Sequence, residues 1–109
     1  IYFNKLHLWA STLEIELPAI PEYSTNNAHM FYLVCKSSDQ RSQIINYLKK
    51  NKIGSAFHYS SLHKSVFFKT ISDELELKES DKYTDRLLRL PFYYELSPLR
   101  VINCLLKFR

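Results

Sequence analysis

The chain has almost no glycine: Gly54 stands alone among 109 residues. Loops that cradle phosphate need glycine, because backbone amides must approach the ligand closely and some residues must take positive φ. Neither a P-loop nor a GxGxxG dinucleotide fingerprint can be written here. That excludes the common routes to nucleotide hydrolysis and nicotinamide chemistry. Cysteine is also scarce. Cys35 and Cys104 lie far apart, without CxxC or metal-ligand spacing, and no secretory signal is expected. They read as small buried hydrophobes in a reducing cytoplasm. Long apolar runs are missing as well, and none approaches the roughly 20 residues that span a bilayer. No membrane partner is expected. There is no initiator methionine before Ile1, which fits a truncated or processed form of a longer chain.

What is present suffices for one globular domain. Hydrophobic residues make up 46% of the chain and aromatics 15%, enough for a real core. A domain of this size buries only about two-thirds of its unfolded surface, so its stability margin is narrow. The net charge is +4, but lysines and arginines are scattered among acidic residues. The densest basic run, Lys49, Lys50 and Lys52, falls at the end of a predicted helix, where cations complement the helix dipole. A solvated helix end explains it, and no nucleic-acid partner is expected.

Residues Ile1 to Trp9 suggest the tail of a helix whose beginning is missing. Leu13 to Pro21, with two prolines and alternating Ile15, Leu17 and Ile20, reads as extended. His29 to Lys36 has the aromatic and β-branched character of a buried strand. Ser37 with Gln40 forms a capping box before a helix striped by Arg41, Ile44, Ile45, Tyr47 and Leu48. Asn51 is the expected left-handed cap at its end. Ile53 to Tyr59 reads as a second strand. Ser60 to Glu79 reads as a polar and aromatic loop with one short helix around Phe67. Asp81 to Leu88 reads as helical and Arg89 to Phe92 as extended. The final helix has Ser97 as N-cap, Pro98 at its first position, and an apolar face of Val101, Ile102, Leu105 and Leu106. The expected fold is a small α+β sandwich, a few short strands with helices on one face.

Reactive side chains cluster once, in His58-Tyr59-Ser60-Ser61-Leu62-His63. The cluster leaves the second predicted strand and enters a loop, where a rigid element can support binding residues. Imidazole suits proton transfer near neutral pH and donation to phosphate oxygens. The plainer reading is that His58 and Tyr59 simply end a half-buried strand. His29, His58 and His63 lack the spacing of a structural zinc site. A hydrolase could be drawn from Ser60 or Ser61 with His63 and Asp73, but GxSxG is absent. The strand His29-Met30-Phe31-Tyr32 invites comparison with RNA-binding sheets, yet it lacks their glycine-aromatic signature. Core packing is the expected use of Phe31.

Four strings occur in order: Asn27-Ala28-His29-Met30-Phe31-Tyr32, His58 through His63, Arg86-Leu87-Leu88-Arg89-Leu90-Pro91, and Leu96-Ser97-Pro98. Together with Ile15-Glu16-Leu17-Pro18-Ala19-Ile20-Pro21 before them, they resemble the C-terminal portion of the DegT/StrS sugar aminotransferases. The resemblance runs from about Tyr2 to Phe108. It implies the small C-terminal domain of a type I pyridoxal-phosphate fold, with residues 1–25 as the end of an interdomain helix and linker and 26–109 as the domain itself. It implies a parent enzyme, a cytoplasmic homodimer, that moves an amino group from glutamate to the 4-keto carbon of a dTDP-linked deoxysugar, as in lipopolysaccharide sugar synthesis. His58, Tyr59 and His63 become candidate contacts to the nucleotide-sugar, serving orientation rather than bond breaking. Many relatives have a proline where Ser61 stands, which implies a less rigid loop here. The family's cofactor lysine, pyridine partner and phosphate cup belong to an N-terminal domain. None of the ten lysines here falls in a matching segment. The chain by itself is therefore expected to bind no pyridoxal phosphate and to be inert. The alternative from another class is an independent binding or assembly module.

Overall fold

In the computed structural model, residues 1–71 and 75–109 are described. The elements run α1 (Tyr2–Thr12), β1 (Phe31–Val34), α2 (Ser38–Lys50), β2 (Ala56–Phe57), α3 (Lys78–Arg86), β3 (Leu87–Leu90) and α4 (Pro98–Leu105), with two 3-10 turns at Leu62–Lys64 and Phe68–Thr70. The sheet order is β1-β3-β2, and β3 is antiparallel to both neighbours. The small α+β class expected from the sequence is what the chain forms.

Strand alternation sorts the sheet into two faces. Phe31, Leu33, Leu88 and Leu90 join the core with side chains of α1, α2 and α4. Tyr32 and Arg89, which are paired in register, take the opposite face with Val34 and Leu87. From α1 the core receives Tyr2, Leu6, Trp9 and Ala10; from α2, Ile44 and Leu48; from α4, Val101, Ile102 and Leu105. The first helix is thus built into the common core. Two long-range bonds hold it there: Tyr2 Oη donates to the Pro91 carbonyl at 3.0 Å and Trp9 Nε1 to the Phe108 carbonyl at 3.2 Å. Tyr2 also stacks on Phe31 with ring centroids 5.0 Å apart, so the Phe31 ring is used in packing. The two cysteines are free thiols, and burial pushes Cys35 up to about 12.

The capping box at Ser37 forms as expected on one side, with Ser37 Oγ accepting from the Gln40 amide at 3.1 Å. The Gln40 carboxamide reaches one residue further back, to the Lys36 amide, and also donates to the Leu13 carbonyl.

Several local expectations need correction. Asn51 has φ −89°, and the left-handed residue is Lys52, at φ 58°. Amides of Lys52 and Ile53 bond to the carbonyls of Lys49 and Leu48, a Schellman ending whose hydrophobic contact is Ile53 with Leu48. Glu14, at φ 56°, ends α1 in the same way. Ile53 is therefore spent on closing α2, and β2 shrinks to Ala56–Phe57. Helix α3 starts at Lys78 rather than Asp81, with Glu79 and Asp81 in its first turn, where acids suit the dipole. It ends at Arg86, because Leu87 and Leu88 pair with Val34 and Leu33 instead of continuing the helix. Ser97 occupies the N-cap of α4 without a side-chain capping bond, and Leu106, just past the helix, is 46% exposed.

Candidate functional site

The His58–His63 segment divides at its middle. His58 and Tyr59 leave β2 at one end of the sheet. Their rings meet edge-on, with centroids 5.2 Å apart. Tyr59 is 76% exposed, and the Arg89 guanidinium lies 6.0 Å from its ring centroid, within cation–π range. His58 is half-buried, and its Nδ1 is buried with no hydrogen-bond partner among the described residues. Arg89 reaches this position because Tyr32 and Ala56 flank it across the strands. Burial, and after it the charge of Tyr83, raises the Tyr32 phenol above its ordinary value.

The second half turns inward. Ser61 and His63 are buried, while Leu62 between them is exposed. Ser61 Oγ bonds to the Ser80 carbonyl at 3.3 Å and to the hydroxyls of Ser80 and Thr84, all on α3. Where the resemblance to relatives with proline implied a less rigid loop, the hydroxyl fastens it. His63 Nε2 is 3.0 Å from Asp81 Oδ1, an ion-pair distance at an angle off the hydrogen-bonding line. Lys64 Nζ reaches the same oxygen at 2.8 Å. That bond from Lys64 is the main reason the Asp81 carboxyl is held below its ordinary value, and it raises the Lys64 ammonium. Ser61 is engaged with α3, so it is not poised against His63 for a hydrolase. Asp73, the third member of that arrangement, lies outside the described residues.

Two residues of this site escaped the sequence reading, Arg89 and Asp81. Arg89 carried a signal, a lone cation between Leu88 and Leu90 in an otherwise apolar run. Asp81 carried none, since an acid in a helical first turn is ordinary.

Pyridoxal phosphate would need a lysine whose ammonium is destabilised by burial or a neighbouring cation. Nine of the ten lysines are exposed; the other, Lys82, is half-buried and sits 2.8 Å from Glu16. The pKa values of Lys64 and Lys82 are raised, opposite to that requirement. These lysines do not fit covalent attachment of the cofactor. Among the described residues no group of three or more His, Cys, Asp or Glu could hold a metal ion, and no helix is long and apolar enough to cross a membrane.

This arrangement of sheet and helices is that of a segment of larger aminotransferase structures. It superposes on NtdA of Bacillus subtilis, solved with bound cofactor PMP, with a TM-score of 0.78 at 23% identity, covering 95% of this chain and 25% of that one. For the aminotransferase TlmJ of Streptoalloteichus hindustanus the TM-score is 0.70 at 16% identity, covering 94% and 28%. A DegT DnrJ EryC1 StrS aminotransferase of Brucella abortus gives 0.68 at 18% identity, covering 94% and 28%. The chain belongs to the DegT/DnrJ/EryC1/StrS aminotransferase family, whose model matches residues 1–107. It spans about a quarter of the length of the solved structures it resembles.

Proposed function

We propose that this chain is the C-terminal small domain of a pyridoxal-phosphate-dependent nucleotide-sugar aminotransferase, working with an N-terminal domain that binds the cofactor. The parent reaction moves an amino group from glutamate to a dTDP-4-keto-6-deoxyhexose, giving a product of the dTDP-4-amino-4,6-dideoxygalactose type for lipopolysaccharide or common-antigen sugars. The observation that carries this reading is the family match across residues 1–107 in a chain that spans a quarter of its solved relatives. The likeness of the strings from Asn27 to Pro98 supports the choice of sugar. The parent works as a homodimer in a reducing cytoplasm, where Cys35 and Cys104 stay thiols.

In this reading, residues 1–25 are the end of the interdomain helix and its linker, and their core side chains pack with residues 26–109 in the domain that closes over the pocket. His58 and Tyr59 hydrogen-bond sugar or diphosphate oxygens and orient the substrate. His63 contributes from the same loop and holds it in place through Asp81. The chemistry belongs to the cofactor; the part of this chain is to position and to exclude water.

The test is kinetic, in the enzyme that includes the sequence upstream of Ile1. His58→Ala and Tyr59→Phe raise the nucleotide-sugar KM or lower turnover by about tenfold, the worth of one hydrogen bond to a charged group. Cofactor absorbance stays as in the wild type. Unchanged kinetics in both variants would remove the substrate role.

A further inference from the structure

We propose that the end of the sheet around Arg89 is a binding site for an oxyanion, the carboxylate or phosphate group of a small ligand. Arg89 is the one charged residue of β3, set between Leu88 and Leu90, both buried. Its Nε is buried with no hydrogen-bond partner among the described residues. No carboxylate among them lies within ion-pair distance of it. A guanidinium offers five donors and no acceptor, so its neighbours must supply the oxygen atoms it needs.

Two adjoining residues share the deficit. Ser55 Oγ is likewise buried and unpartnered, next to Ala56, which pairs with Arg89. His58 Nδ1, two residues on, is the third such atom. Buried polar groups are nearly always paired; His58 lies past the other end of β2, but Ser55 Oγ and Arg89 Nε belong to residues lining one pocket, and two unpaired donors there point to a partner outside the chain. Ser55 and Arg89 line a pocket of about 310 Å³ with His29, Gly54 and Phe92. Gly54 adds no side chain there, and a Cβ at that position would meet nothing within 4 Å. No acidic side chain lines the pocket. A cation, a hydroxyl and an imidazole around so small a space suit an anion accepting from the planar guanidinium fork, with the hydroxyl as a further donor. A neutral carbonyl would leave the charge uncompensated. The volume suits an amino acid or a phosphate group rather than a whole nucleotide. The inference stands whether or not the sugar-transfer reading holds.

The experiment follows the side-chain Nε–Hε signal of Arg89 by NMR in the 109-residue chain. Sodium L-glutamate, inorganic phosphate and pyrophosphate are titrated separately at constant ionic strength. A saturable shift with glutamate alone assigns a carboxylate site; a saturable shift with phosphate or pyrophosphate alone assigns a phosphate site; response to both families leaves an oxyanion site of low selectivity. Each of these supports the proposal. Arg89→Gln, followed through the backbone amide signals of Ser55 and Leu90, is expected to weaken the binding at least about tenfold without altering the far-UV spectrum. No saturable shift with any of the three, or an equal shift of the Arg41 Nε–Hε signal, overturns it. Wild-type affinity in Arg89→Gln does the same. The wild-type signal decides the matter even where the variant does not fold.

Discussion

His63 and Asp81 meet across 3.0 Å, joining the turn after β2 to the first turn of α3. Lys64 shares the same carboxylate oxygen, and Ser61 bonds to Ser80, beside Asp81, and to Thr84, about one turn on. The loop that begins with the exposed Tyr59 is therefore anchored at its far side. Asp81→Asn should release it, and hydrogen exchange at the amides of Lys64 and Ser65 should quicken while that of β1 stays unchanged. The sign with pH follows from the depressed Asp81 carboxyl. Its contribution is present in full above the ordinary value of 3.8 and is lost as pH falls through the lower folded value. Acid should therefore lower the protection of these amides, measured against their intrinsic exchange at the same pH, more in the wild type than in Asp81→Asn. Equal acid responses would show that the anchor is elsewhere.

Lys52 holds a left-handed backbone without being glycine. Lys52→Gly removes a strain of about 1–2 kcal/mol and adds unfolded-state entropy worth about 0.4–1 kcal/mol, for a net gain of about 0.5–1 kcal/mol. Asn51→Gly relieves no such strain and should lower stability or leave it unchanged. Urea unfolding of the two variants distinguishes the positions. A gain at 51 and none at 52 would contradict the Schellman ending.

Gln40 uses both ends of its carboxamide, accepting from the Lys36 amide and donating to the Leu13 carbonyl, each at 2.9 Å. Gln40→Leu keeps much of the volume but strands both backbone groups, at a cost of about 1–3 kcal/mol each where water stays out. Ser37→Ala, which removes only the cap, should cost about 1 kcal/mol. Thermal unfolding orders the two, and a milder effect at Gln40 would reduce it to a surface residue.

Leu105 is fully buried, whereas Leu106 is nearly half-exposed. Leu105→Ala should cost about 2–5 kcal/mol by cavity formation. Leu106→Ala should stay within about 0.5 kcal/mol, as surface substitutions do. Comparable losses in urea unfolding would place the face of α4 differently.

Elements whose signals are local were legible in the sequence. Helix α2 announces itself by Ser37, Gln40 and the Ile44–Leu48 stripe, α4 by Ser97-Pro98 and Val101-Ile102-Leu105, and β1 by its unbroken apolar run. Boundaries settled by distant partners were not legible. Leu87 and Leu88 fit a helix or a strand equally well until Leu33 and Val34 pair with them. Ile53 was equally fit for β2, but the Schellman contact with Leu48 claims it. In the candidate site, His58, Tyr59 and His63 were visible as a dense string, but their separation into an outward pair and an inward residue depends on α3. The role of Arg89 depends on which strand lies beside it. Such facts are tertiary.

The most direct measurement adds pyridoxal phosphate, glutamate and a dTDP-4-keto-6-deoxyhexose to this chain, with and without the sequence upstream of Ile1. The longer protein should develop the cofactor's visible absorption and form an amino sugar, while residues 1–109 alone should do neither. Amino-sugar formation by the 109-residue chain itself, or a longer protein that fails to bind the cofactor, would contradict the proposed function.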